Sequence, residues 1–254
     1  MSSVPLYDAL AVDYDRFVSW PGRLARELPF LESTFQAHGV QSVLDSACGS
    51  GRHAIALAQR GYQSVGADLS APMIEQARRN AAVAATGIPF VVAGFGQLAT
   101  TLGKTFDAVL CLGNSLPHLL TPAAVAGALA DFAAVLRPGG LLVVQNRNFD
   151  QVWAARDRFI GPQAHRDGEE EWLFVRFYDF HEETLTFNMV RLHRSEAGWT
   201  QAVDATELRP IFRDGLSEAL AAAGFGEAAF YGSYDGSAFD PAASGDLIAV
   251  ARKA

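Results

Sequence analysis

The stretch Val43-Leu44-Asp45-Ser46-Ala47-Cys48-Gly49-Ser50-Gly51-Arg52-His53-Ala54 decides the fold. It begins inside a short apolar run, Gln41–Ala47, that ends at a glycine turn, the pattern of a buried strand. Past Gly51, Arg52–Arg60 carries apolar residues at helical spacing. Strand, glycine loop and helix in immediate succession form the first half of a βαβ unit. The alternation continues with a strand at Tyr62–Leu69, a helix at Ala71–Ala85, and strands at Ile88–Gly94 and Phe106–Leu112. A helix at Thr121–Leu136 follows, and a turn at Pro138-Gly139-Gly140 leads into a strand over Gly140–Asn146. Such alternation predicts a parallel sheet covered by helices on both faces.

Beyond it the period changes. Glu171–Phe180, Leu185–Arg194 and Trp199–Ala205 are aromatic, β-branched and roughly alternating, which predicts an inserted antiparallel meander over residues 165–207. A helix at Phe212–Gly224 and strands near Glu227–Gly232 and Leu247–Lys253 close the chain. No Pro-, Gly- or Ser-rich linker divides it, so one domain over 1–254 is expected. Its parts are an N-terminal helical lid (1–38), a ligand-binding core (39–150), the insertion, and a C-terminal helix and hairpin (208–254).

The 254 residues are 50% hydrophobic and 19% charged, a globular composition with material for a sizeable core. A net charge of −8 offers no general electrostatic attraction to nucleic acid or anionic lipid, so a small-molecule partner is expected. Two cysteines, Cys48 and Cys111, make no disulfide framework. No apolar run is long enough to span a bilayer, and the first ten residues lack signal-peptide character. A cytoplasmic location is the expectation, with a homo-oligomer open. No His/Cys cluster has metal-ligand spacing.

In an open parallel sheet, ligands bind beyond the carboxyl ends of the strands. There Gly49 and Gly51 let a ligand approach the backbone, and the helix beginning near Arg52 presents unpaired N–H groups. The run Gly49–Ala54 also satisfies a loose dinucleotide fingerprint. Asp45, four residues before Gly49, discriminates. A carboxylate at that place repels a pyrophosphate but accepts hydrogen bonds from an ammonium, which S-adenosylmethionine carries without any phosphate. Asp68 ends the second strand, where it can accept both ribose hydroxyls. A bland reading of both acids is helix capping.

Val43–Arg78, with Leu136–Val144 and Ala222–Phe225, resembles class I S-adenosylmethionine-dependent methyltransferases. The resemblance implies a Rossmann-like α/β fold, with a seven-stranded mostly parallel sheet and an antiparallel last strand. It places Asp45, Ala47, Gly49 and Gly51 near the methionine end, Asp68 and Leu69 at the ribose, and Met73 beside the adenine, with Leu112 also against the cofactor. Where many relatives carry an acid after the third strand, this chain has Ala93-Gly94-Phe95-Gly96-Gln97-Leu98; Phe95 can cover the adenine face and Gln97 reach its edge.

Leu112-Gly113-Asn114-Ser115 with downstream His118, and Arg147-Asn148-Phe149-Asp150, resemble the glycine and sarcosine N-methyltransferase group. Leu116-Pro117 departs from that group's pattern. Asn114 can hold an amine through its oxygen or a carboxylate through its NH2. Arg147 offers a planar fork for a carboxylate, unless it pairs with Asp150 or with Glu169–Glu171. His118 can act as a base or brace the turn. Relatives use the N-terminal segment as a lid; Tyr7, Tyr14 and Trp20 can line the transfer cavity there, and Arg23 can take the methionine carboxylate. Tyr178, Tyr231 and Tyr234 are further pocket candidates. The implied function is methyl transfer to the nitrogen of a small amino acid or amine. Alternatives are O- or C-methylation of another metabolite, an NAD-dependent oxidoreductase, and a non-catalytic sensor.

Overall fold

The computed structural model describes residues 5–254; the first four residues of the expected lid lie outside that range. Seven strands make the central sheet: β1 Ser42–Asp45, β2 Gln63–Asp68, β3 Phe90–Val92, β4 Phe106–Cys111, β5 Leu136–Arg147, β10 Ala229–Tyr231 and β11 Asp246–Arg252. Their order is β10-β11-β5-β4-β1-β2-β3. All neighbours from β3 to β5 pair in parallel, while β11 runs antiparallel to both β5 and β10. This is the expected Rossmann-like sheet. The chain moves from β1 outward to β3, then restarts at β4 on the other side of β1. The topological switch point therefore lies beside β1, where Asp45 pairs in register with Gly66 and Leu110.

The covering helices α4 (Arg52–Gln59), α5 (Ala71–Val83), α7 (Pro122–Val135) and α9 (Arg213–Ala222) follow the sequence reading within about two residues. Local chemistry sets their starts. Ser70 Oγ accepts from Met73 N to cap α5, and Thr121 Oγ1 accepts from Ala124 N to cap α7, each with a proline in the first turn. The central strands are buried almost continuously because helices cover both faces.

Three elements differ from the sequence reading. The Pro138-Gly139-Gly140 segment is no free turn; β5 runs through it and absorbs the irregularity as a register shift against β4. Helix α8 (Phe149–Ala155) was not anticipated; Asn148 caps it by accepting from Gln151 N. The insertion has four strands: β6 Phe159–Asp167, β7 Glu170–Phe180, β8 Leu185–Ser195 and β9 Gly198–Leu208. β6 was missed because it is an edge strand whose exposed and half-buried residues lack strong apolar alternation. A short helix α6 (Leu98–Leu102) follows β3.

The lid consists of α1 (Pro5–Leu10), α2 (Tyr14–Phe17) and α3 (Trp20–Ala37). Leu6 and Leu10 pack against Trp172, Phe174 and Met189 of the meander. Lid, insertion and the carboxyl ends of the core strands thus enclose one region.

Candidate active site

Two cavities meet above β1, β4 and β5. The first, about 410 Å³, is walled by the loops after β1, β2 and β3. Ala47, Gly49, Asp68, Leu69, Met73, Phe95, Gln97 and Leu112 line it, all from the sequence reading. The second, about 620 Å³, lies under the lid and the meander; Arg23, Asn114, Arg147 and Tyr178 line it. Tyr7, Tyr14, Gly113 and His118 border both, so they form the partition where the two spaces join.

The first cavity fits S-adenosylmethionine by shape and by donor set. Asp68 accepts from Gly49 N at 2.8 Å and Ser70 N at 2.9 Å, which fixes the loops after β1 and β2 and leaves its other lone pairs for hydroxyl donors. Burial pushes its carboxyl upward against these amide bonds. The loop after β3 is held from below: Asp131 of α7 accepts from the amides of Gly96, Leu98 and Ala99, and Gln97 Oε1 accepts from Gly94 N. Gln97 thus keeps its amide NH2 free for a ring nitrogen, while Phe95 packs edge-on against Phe132 and faces the cavity. Asp131 carries a role that no motif announced, since a lone acid within an Ala-rich helix has no sequence signature.

Asp45 lies just behind the cavity wall, 2% exposed, with Oδ2 buried and without a partner. Burial raises its pKa to about 6, opposed by His53 and Arg23 and aided by Asp68 and Glu27. An orphaned buried carboxylate at the end of β1 fits a cationic group entering from the cavity and has no use for a phosphate.

Gly51 lines neither cavity. At φ +78° it turns the chain into α4, and a Cβ there would lie 2.7 Å from the Phe90 ring and 2.8 Å from Ala77 Cβ. It is a packing glycine.

Arg23 sits at the second cavity. Its Nε donates to Glu27 Oε1 at 2.8 Å, and a Cβ on Gly113 would lie 3.5 Å from its guanidinium. Glu27, 1% exposed, also bonds His53 Nε2 at 2.7 Å; burial raises its pKa, but these partners overcome that and hold it below the usual carboxylate value. This buried Arg23–Glu27–His53 group was not foreseen, because its members come from α3 and α4 and meet only in three dimensions.

Among the expected catalytic residues, Asn114 takes a left-handed φ of +68°. Its Oδ1 accepts from Arg147 N at 3.1 Å, and its own N donates to Gln145 O. One lone pair of the oxygen is thereby engaged, while the NH2 makes no hydrogen bond among the described residues. The Arg147 guanidinium lies over the Tyr178 ring at 5.8 Å, and among the described residues no carboxylate lies within ion-pair distance of it. Asp150 instead accepts from Arg213 N. His118 Nε2 shares a 3.0 Å hydrogen bond with the Tyr7 hydroxyl, and burial lowers its pKa to about 4. It is neutral at pH 7 and hydrogen-bonded to Tyr7. Burial raises the phenols of Tyr7 and Tyr14, which stay protonated.

Trp20 is buried beside His53 and donates Nε1 to Asp15 at 2.8 Å; it does not line the cavities. Tyr231 and Tyr234 line a separate groove between α3 and β10. Tyr178 does line the second cavity.

Fold and site together define a class I S-adenosylmethionine-dependent methyltransferase. Residues 43–140 match the methyltransferase domain family. The glycine/sarcosine N-methyltransferase of Parasynechococcus marenigrum (strain WH8102) is 32% identical over 206 residues, 74% of this chain and 73% of that protein. The glycine/sarcosine N-methyltransferase of Aphanothece halophytica is 34% identical over 139 residues, 55% of this chain and only 52% of its own length. The S-adenosylmethionine-bound structure of CalS10, an amino pentose methyltransferase from Micromonospora echinaspora, superposes with a TM-score of 0.74 at 25% identity, covering 97% of this chain and 96% of that one. The chain belongs to the family of S-adenosylmethionine-dependent methyltransferases that includes the glycine/sarcosine N-methyltransferases. When bound, the cofactor supplies an electrophilic methyl on a sulfonium.

Proposed function

We propose that this enzyme methylates the nitrogen of a small amino-acid-like amine, holding the acceptor's carboxylate with Arg147. The observation that supports this reading is a cation at the end of β5, in a cavity, without a carboxylate partner among the described residues. A half-buried guanidinium needs a counter-charge, and a substrate carboxylate supplies one bidentately. Asn114 Nδ2 lies on the same cavity, and the partition of Tyr7, Tyr14 and His118 marks where the nitrogen meets the methyl donor. The cationic surroundings favour the neutral, nucleophilic form of that amine. The cofactor roles assigned to Asp45, Ala47, Gly49, Asp68, Leu69, Met73, Phe95 and Leu112 belong to this proposal. Arg23 is proposed at the methionine carboxylate, across the partition.

We also propose a cytoplasmic enzyme acting on a free small molecule, with no nucleic-acid or membrane partner. Both cysteines are free thiols. No helix among the described residues is long and apolar enough to cross a membrane.

The test is S-adenosylhomocysteine formation with a panel of amino acids and amines. Arg147→Ala is expected to lower kcat/KM for amino acids by roughly 10²-fold, the size of a lost charge-assisted contact, while S-adenosylmethionine affinity changes little. Unchanged turnover of amino acids by Arg147→Ala would overturn the carboxylate assignment.

A further inference from the structure

The second cavity contains another guanidinium that the proposed reaction does not use. Arg176 lies on β7 between Phe174 and Tyr178, and all three side chains occupy the face that alternation turns toward the lid. Phe174 and Tyr178 are buried packing residues, so an arginine in their row is out of place as a structural element. Its guanidinium rests over the Phe17 ring of α2 at 4.8 Å, and Nη2 donates to Gly161 O at 3.2 Å. These contacts aim the group without neutralising it. Nε is buried and unpartnered. Among the described residues no carboxylate lies within ion-pair distance of Arg176.

Gln163 of β6 lines the same space, and its Oε1, an acceptor that calls for a donor rather than an anion, is buried without a partner. The Arg147 guanidinium acts on Arg176 as a like charge; together with burial it lowers the Arg176 pKa to about 10, with the Tyr178 phenol opposing. The charged groups facing this space are Arg23, Arg26, Arg147 and Arg176 against Glu27 and Asp246. Glu27 is taken by Arg23, Arg26 and His53, while Asp246 lies opposite Arg147 across the β5–β11 pair and accepts from Gln145. Four guanidiniums against two carboxylates leave an excess of two positive charges in the lining.

One α-carboxylate offsets one of these two charges and a second anion would offset the other. The cavity of about 620 Å³ also has room beyond the few heavy atoms of the smallest amino acids, and Phe187, Met189 and Leu208 give it an apolar wall suited to a methylene spacer.

We infer that the acceptor is an amine carrying two acidic groups, with Arg147 holding the α-carboxylate and Arg176 holding a second anion at the end of its side chain. This rests on the amino-acid reading above and narrows it. The shared chemistry is a second carboxylate or a phosphate; aspartate, glutamate and O-phosphoserine represent the two sources.

Two measurements test it on the intact enzyme. The first compares kcat/KM for glycine, aspartate, glutamate and O-phosphoserine in the wild type, Arg176→Gln and Arg176→Lys. The expected result is a preference for one of the doubly acidic acceptors over glycine. Arg176→Gln should raise KM for that acceptor roughly tenfold to a hundredfold, collapse its preference over glycine, and be partly rescued by Arg176→Lys. The second measurement is calorimetric binding of succinate or glutarate against acetate, which needs no turnover. The dicarboxylate should bind more tightly than acetate in the wild type and equally in Arg176→Gln. Glycine as the best acceptor, with Arg147 needed and Arg176 dispensable, would overturn this inference and leave the carboxylate reading standing. Loss of all activities together in Arg176→Gln, with no rescue by Arg176→Lys, would also overturn it in favour of a structural role. Indifference of amino-acid turnover to Arg147 would remove both readings.

Discussion

Asp45 is a single side chain whose function conflicts with stability. Its carboxyl is buried and unpartnered, with a pKa raised to about 6 from 3.8. For a group raised on folding, the native state holds the proton more tightly. Stability without ligand is therefore full below pH 4 and lost as pH rises through about 6, a difference of about 3 kcal/mol at most. Cofactor binding runs the other way, because a cationic amino group needs the carboxylate. S-adenosylmethionine affinity measured by calorimetry is expected to fall about tenfold per pH unit below 6, and Asp45→Asn should abolish that slope. The same variant should bind at least tenfold more weakly yet melt a few degrees higher without ligand, since about 1–3 kcal/mol of buried-charge cost disappears. A lower melting temperature with unchanged affinity would refute the assignment. His118 supports a second expectation. It is neutral and bonded to Tyr7, so at saturating S-adenosylmethionine, where the Asp45 titration is masked, the pH dependence of acceptor kcat/KM should follow deprotonation of the acceptor amine, with no inflection between pH 6 and 7. His118→Gln should leave the shape of that profile unchanged and cost less than about tenfold; a displaced profile would identify His118 as a base. Asp45 and Asp68 were legible because strand-end acids after short apolar runs have a fixed place in this fold. The electrostatic state of His118 was not, because it depends on burial by a lid contributed from another part of the chain.

At the scale of elements, the lid is tied down by polar contacts as well as by the apolar packing of Leu6 and Leu10. Asp15 of α2 accepts from Ser50 Oγ at 2.5 Å, Arg52 Nη2 at 2.6 Å, Trp20 Nε1 at 2.8 Å and Asn80 Nδ2 at 2.9 Å. Asp8 of α1 accepts from Ser70 Oγ at 2.6 Å. Burial raises the Asp15 pKa, but the bonds from Arg52, Ser50 and Asn80 overcome it and hold the carboxyl below its usual value. Its contribution is present above the unfolded pKa and is lost only as pH falls below about 4, so the lid stays pinned across the physiological range. Asp15→Ala should release α1 and α2, seen as faster amide exchange over residues 5–18, and weaken S-adenosylmethionine binding about tenfold. Exchange that stays slow would show that the apolar contacts of Leu6 and Leu10 suffice to hold the lid. The elements of the core were readable from periodicity, and so was the meander, but the latch was not. Its acid lies 37 and 65 residues before its partners Arg52 of α4 and Asn80 of α5, and nothing in local spacing joins them. β6 escaped for a related reason: an edge strand with one partner needs no alternation strong enough to be read.

Across the whole molecule the two cavities divide the work between parts of different origin in the chain. The first is built from β-strand ends and loops of the parallel core, and the second draws Ile160, Gln163, Arg176, Tyr178, Phe187, Met189 and Leu208 from the inserted sheet. The core resembles many methyltransferases because cofactor geometry is common to them; the insertion is where acceptor chemistry can vary without disturbing that geometry. This division explains why most residues lining the first cavity were among those singled out in the sequence, while Gly51 and Arg23 fall outside it and Arg176 was read only as one member of a strand. It also has a measurable consequence. Phe95→Ala removes a half-buried wall of the first cavity and should raise the S-adenosylmethionine Kd several-fold while leaving acceptor KM unchanged at saturating cofactor. Tyr178→Phe deletes only a hydroxyl beside Arg147 and should do the reverse, raising acceptor KM about tenfold, about one hydrogen bond to a charged group, with cofactor Kd unaltered. Because Phe95 and Tyr178 line different cavities, which share Tyr7, Tyr14, Gly113 and His118, the two substitutions should be additive in the double variant within about 0.5 kcal/mol. A larger coupling energy would mean that acceptor and cofactor sites rearrange together, and that the lid, which borders both, transmits the change.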